Sequence, residues 1–76
     1  MTSGSDDIFS VFGHSLRERR KALGLSQEEL AFRCDLDRTY VSGLERGKRN
    51  PTLKVLSVVA QQLDISLSDL LLSIKK

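Results

Sequence analysis

LDRTYVSGLERG, residues 36–47, sets Asp37 ahead of Arg38, Thr39 and Tyr40, follows them with the aliphatics Val41 and Leu44, and ends on Gly47. Asp is a residue type that caps helix N-termini, an i, i+3 aliphatic pair marks a narrow buried face, and Gly accepts the left-handed conformation that stops a helix. The stretch predicts a short helix over 38–46 whose longest polar side chains crowd its first turn. A helix that only had to be buried would not need them there.

Working upstream, CDLD (34–37) is too short a connection to let two helices lie antiparallel, so the preceding helix should cross this one steeply. That helix is expected over 27–34, opened by the S-x-x-E capping box of Ser26 and Glu29. Its inner face is Leu30, Ala31 and Cys34, Ala31 giving the small residue a close crossing needs, with Phe32 and Arg33 turned off that face. Gly24 is a left-handed stop for a first helix over 7–23, whose apolar positions Phe9, Phe12, Leu16 and Leu23 share one face with Arg20 between the last two. Phe9, Phe12 and Phe32 are core candidates.

Downstream, GKRNP is a loop in which Pro51 biases Asn50 away from helix, and Thr52 caps a fourth helix over 53–63. Leu53, Leu56, Val59, Ala60 and Leu63 form its core face. Ser66 and Asp69 start a fifth helix over 67–74, with Leu70 and Leu71 inward. The reading is an all-α, compact five-helix bundle over residues 7–76, preceded by a flexible N-terminus over 1–6.

Composition narrows the function. A chain of 76 residues holds one domain, and its single cysteine, Cys34, has no internal disulfide partner. No His or Cys pair has metal-ligand spacing, so no metal or cofactor is expected, and no nucleophile, base and orienting acid can be assembled, so the chain is not expected to be an enzyme. The lone cysteine fits a reducing, intracellular setting, and with no apolar run long enough to span a membrane and an acidic, polar N-terminus the protein is expected in the cytoplasm. The net charge of +2 is unevenly spread: residues 17–54 hold ten Lys and Arg against six Asp and Glu, while residues 1–16 hold only Asp6 and Asp7. An anionic partner can use that central excess. His14 reads as a helix-surface side chain and Cys34 as a small buried hydrophobe.

Two charges break the apolar faces. Arg20 falls on the seam of the first helix and Glu45, four after Val41, on the inner edge of the third. Burying either alone is costly, so the economical arrangement is that they meet as a partly buried bidentate pair holding the third helix against the first.

Taken together, LGLSQEELA, LDRTYVSGLERG, NPTLKVL and LDISLSDLL, in this order and spacing between Arg17 and Leu71, resemble the helix-turn-helix domains of the phage Cro/repressor-like (xenobiotic response element) family of transcription regulators. Within it DRTYVSGLERGKRNPT looks most like the small controller proteins of restriction-modification systems, dimers that regulate their own operon. The resemblance implies double-stranded DNA as partner, the third helix in the major groove, and a structural ion pair at Arg20 and Glu45. Arg38, Thr39 and Ser42 are then candidates for base contact, Arg38 through paired hydrogen bonds to guanine. Candidates for phosphate contact are Gln27 at the start of the second helix and Arg46, Lys48, Arg49 and Asn50 in and before the loop. Tyr40 has two readings, a hydroxyl on a phosphate or a ring packed over the turn.

One such domain makes few base contacts, so a homodimer on an inverted-repeat operator is expected. Ile65, Leu67, Leu71, Leu72 and Ile74, more aliphatics than one narrow stripe can bury, are the expected interface. The competing class is a protein-binding module, an antitoxin or adaptor that uses the fifth helix to hold another protein.

Overall fold

The computed structural model describes residues 4–71, with side chains described from Ile8 onward. Five helices follow in order: α1 (Gly4–Ala22), α2 (Gln27–Cys34), α3 (Arg38–Glu45), α4 (Leu53–Gln62) and α5 (Leu67–Leu71). The backbone of α1 is helical from Gly4, ahead of the expected residue 7. What was expected of α5 beyond Leu71 lies outside the described residues.

Each start signal except one works as the residue types require. Ser26 Oγ accepts from Glu29 N–H at 3.0 Å while Glu29 Oε1 accepts from Ser26 N–H at 2.8 Å, a reciprocal capping box. The bond from the Ser26 N–H holds the Glu29 carboxyl below its usual range. Thr52 and Ser66 hydroxyls cap α4 and α5 through Val55 N–H and Asp69 N–H. The exception is Asp37. Its backbone is extended as an N-cap should be, yet its side chain makes no capping hydrogen bond to α3.

The ends of α1 to α4 share one device. Gly24, Asp35, Gly47 and Asp64 all take left-handed φ, between 57° and 73°. In each case the left-handed residue and its successor donate back into the last turn: Gly24 to Lys21 and Leu25 to Arg20, Asp35 to Phe32 and Leu36 to Ala31, Gly47 to Leu44 and Lys48 to Gly43, Asp64 to Gln61 and Ile65 to Ala60. This is the Schellman arrangement, in which the residue after the left-handed one folds back against the helix with an apolar side chain. Leu25, Leu36 and Ile65 obey that rule, packing into or against the core. After α3 the position belongs to Lys48, and the loop there turns to solvent.

That rule accounts for one correction. Leu23, expected on the inner face of the first helix, lies beyond the last residue of α1 and is 41% exposed, and Leu25 takes the core position in its place. Two other expected core residues lie outside. Phe32 is 88% exposed, because on α2 it is half a turn away from the buried Leu30, Ala31 and Cys34. Leu53 is 71% exposed as the first residue of α4, where packing against the core begins only at Val55.

The remaining inner residues behave as the periodicity demands. Phe12, Leu16, Leu30, Val41, Leu44, Val59, Leu63 and Leu70 are buried in one cluster, with Leu56, Ile65, Leu67, Tyr40 and Leu71 packed around it. Phe9 is half-buried and His14 is on the surface. Burial pushes the Cys34 thiol pKa up, which keeps it protonated and inert. Arg19 ties α1 to the end of α4, donating from Nε to Leu63 O at 3.1 Å and from Nη2 to Asp64 O at 3.2 Å.

Where α1 crosses α3 the two backbones nearly touch. A Cβ on Gly13 would strike the carbonyl oxygens of Leu44 and Glu45, lying 2.5 Å from the latter. Backbone cannot step aside as a side chain can. Gly13→Ala, which helix propensity alone would favour by about 1 kcal/mol, should instead destabilise the fold by about 1–3 kcal/mol through overpacking. A denaturant titration reads the sign, and a more stable Gly13→Ala protein would refute the close crossing.

Candidate nucleic-acid interface

The orientation of α3 rests on a satisfied ionic cluster. Arg20 Nε donates to Glu45 Oε2 at 2.6 Å and Nη2 to Glu45 Oε1 at 3.0 Å, while Nη1 donates to Leu25 O at 2.7 Å. The side chains retain only 10% and 4% of their exposure, and the hydrogen bond to Glu45 raises the Arg20 pKa. The expected bidentate pair is therefore present, and it recruits a third member. Gln27 Nε2 donates to Glu45 Oε1 at 3.0 Å, so the first residue of α2 is tied to the last residue of α3.

With Val41, Leu44 and Glu45 turned inward, the opposite side of α3 is left to its polar residues. Arg38 and Thr39 are exposed in the first turn and Ser42 is half-buried one turn on. Arg46, Lys48, Arg49 and Asn50 are exposed immediately after the helix. Together with Phe9, Ser10 and Gly47 the last four line an open cleft of about 480 Å³ beside α1. Gln27, at the start of α2, is half-buried. Helix N-termini carry free N–H donors and a partial positive charge, so the start of α2 adds to the loop cations in attracting anions.

The structure thus gathers Arg38, Thr39, Ser42, Arg46, Lys48, Arg49 and Asn50 along α3 and its following loop, with Gln27 beside them through Glu45. It places Tyr40 half-buried against the core, with the Arg49 guanidinium over its ring at 5.2 Å. Ile65, Leu67 and Leu71 stand apart from this face, half-buried against the core; Leu72 and Ile74 lie outside the described residues. Sequence reading missed the Gln27–Glu45 bond and the role of Arg19. A Gln three positions after a helix stop gives no sign of a partner eighteen residues away.

A family model described as helix-turn-helix (HTH_3) matches residues 16–70, which run from the second part of α1 to the next-to-last residue of α5. The chain belongs to this helix-turn-helix family. Among similar proteins, the control protein C.MunI of Mycoplasma sp is 46% identical over 72 residues, covering 93% of this chain and 97% of that protein. The crystal structure of the restriction-modification controller protein C.AhdI from Aeromonas hydrophila is 52% identical, with a TM-score of 0.79, covering 84% of this chain and 96% of its own. The controller protein C.Esp1396I, solved as a tetramer in complex with its natural 35-base-pair operator, is 36% identical with a TM-score of 0.77, covering 91% of this chain and 96% of its own.

This helix-turn-helix protein is accordingly a DNA-binding regulator closely related to restriction-modification controllers, a family of transcriptional controllers and not of enzymes. Among the described residues no helix is long and apolar enough to cross a membrane, and no group of three or more His, Cys, Asp or Glu side chains is placed to hold a metal ion.

The cluster carries a direct stability test. Glu45→Ala leaves a buried guanidinium unpaired and should cost about 3–5 kcal/mol, whereas Glu18→Ala, on the exposed side of α1, should stay within about 0.5 kcal/mol. Thermal melts of the two variants make the comparison, and equal shifts would contradict the assignment.

Proposed function

We propose that the protein is a homodimeric, sequence-specific transcriptional regulator that reads an inverted-repeat operator and controls a restriction-modification operon, its own included. The observation that carries this reading is the exposed first turn of α3, with Arg38 and Thr39 outward on a helix whose far end is locked by the Arg20–Glu45 pair. Arg38 offers two parallel donors that match guanine O6 and N7, and Thr39 offers a hydroxyl for a base or a methyl for thymine. Ser42, half-buried, reaches the same face with a shorter side chain.

Register on the duplex comes from sequence-blind contacts. Arg46, Lys48, Arg49 and Asn50 supply them from the loop, and Gln27 with the α2 N-terminus supplies one from the other side of α3. The Tyr40 hydroxyl joins them at the loop side. The dimer places two α3 helices about one helical turn of DNA apart, roughly 34 Å. Ile65, Leu67 and Leu71, with Leu72 and Ile74 beyond them, are the proposed two-fold surface. Support comes from the relatives: the likeness to C.AhdI and C.MunI extends over most of the chain, and C.Esp1396I occupies its operator as a multimer of the same fold.

Reader and anchor residues separate by experiment. Arg38→Ala should cost about 1–3 kcal/mol of operator affinity and relax preference at one base pair, whereas Arg49→Ala should weaken all sequences alike and reduce the salt slope by about 1. Binding isotherms over a set of operator variants and salt concentrations distinguish them. Identical behaviour of the two variants would refute the division of labour.

A further inference from the structure

Arg49 lies against the flank of α3. Its guanidinium carbon stands 5.2 Å from the centroid of the Tyr40 ring. A Cβ built on Gly43 would lie 2.9 Å from Arg49 Cγ and 3.2 Å from Nε, so the stem of the arginine fills the space where a side chain at 43 would be. Tyr40 and Gly43 are three residues apart and therefore adjacent on one side of the helix, bordering the face that carries Arg38, Thr39 and Ser42. We propose that Tyr40 and Gly43 form a seat that orders Arg49 beside α3 before DNA arrives, making them positioning residues for a phosphate contact.

The inference rests on the DNA-binding reading above and adds a cause for the loop's geometry. A guanidinium held over a ring face is attracted by the ring's charge distribution and spends no N–H···O bond on it, so its donors stay available. Ordering it therefore does not consume the hydrogen bonds it would give to a phosphate. An arginine that is already held loses less rotamer freedom on binding, which is worth about two- to tenfold in affinity for one long side chain.

The glycine points the same way. In the middle of a helix Gly is disfavoured relative to Ala, and at Gly13 a backbone clash explains it. At Gly43 the three heavy atoms nearest the added Cβ all belong to the Arg49 side chain, whose stem moves away by rotation about its Cα–Cβ bond. An alanine there is compatible with the fold and incompatible with the seat.

The test uses the full chain and a labelled double-stranded DNA of mixed sequence, since a phosphate contact is blind to sequence, titrated across a salt series. Gly43→Ala should melt at or above wild type yet bind about two- to tenfold more weakly, and Gly43→Ala with Arg49→Ala should bind no worse than Arg49→Ala alone. Tyr40→Leu, compared with Tyr40→Phe so that the hydroxyl's own phosphate contact is absent from both, should behave in the same non-additive way. In the free protein, NMR should show the Arg49 δ-methylene protons shifted by the Tyr40 ring, the shift surviving in Tyr40→Phe and vanishing in Tyr40→Leu, a readout independent of whether Gly43→Ala folds. Wild-type affinity in Gly43→Ala, losses that add to that of Arg49→Ala, or an unshifted Arg49 in the wild type would each overturn the seat while leaving the DNA-binding reading intact. Failure of the wild type to bind duplex at low salt would overturn that reading, and the seat with it.

Discussion

The hydrogen-bonded charge pair between Arg20 and Glu45 governs the geometry on which everything else depends. A purely apolar contact between α1 and α3 would bury area without fixing angle or register, whereas two parallel N–H···O bonds admit one arrangement. The cost of removing both charges from water is offset because each guanidinium nitrogen and both carboxylate oxygens have a partner: the third guanidinium nitrogen goes to Leu25 O, and Glu45 also accepts from Gln27. Through Arg20 and Gln27, one carboxylate therefore ties α1 and the turn after it to the start of α2 and the end of α3. The near contact of Gly13 with the α3 carbonyls makes this possible, since it brings the helices close enough for the side chains to meet.

From that lock the functional face follows by helical geometry. Once Val41, Leu44 and Glu45 are committed inward, Arg38 and Thr39 must emerge on the other side of α3 at its free end. The Schellman end of α3 then delivers a polar Lys48 where the other helices return an apolar residue, and so keeps the basic loop in water beside the helix. On the proposed reading, bases are addressed by a helix fixed from below, and phosphates by a loop whose one described cation–ring contact, Arg49 over Tyr40, is with the same helix. Stability and recognition thus share side chains.

The parts of this that sequence made legible are those with a local signature. Ser26 with Glu29, Thr52, and Ser66 are capping residues whose partners lie three positions away, and the helices began where they stood. Arg20 and Glu45 were legible for a different reason: each violates an apolar stripe, and two violations of opposite charge imply one another. What stayed hidden depends on contacts between distant segments or on the path taken after a helix ends. Leu23 follows the period of α1 but falls past its last turn, and Leu53 follows the period of α4 but stands at its open end. Phe32 is a core candidate as an aromatic, yet its position on α2 turns it outward. Gly13, Gly43, Arg19 and Gln27 act through partners between eighteen and forty-five residues away or through loop side chains, and no periodicity records such partners.

On the proposed reading, α3 presents a fixed pattern of donors and acceptors to the major groove of duplex DNA, twice, in a symmetric assembly. The decisive measurement is selection of bound duplexes from a random pool, read together with the mass of the protein–DNA complex in solution. An inverted repeat whose half-site centres lie about one helical turn apart, occupied by a protein dimer, is the expected product. Recovery of no preferred duplex, or of a single asymmetric site held by one chain, would contradict that reading.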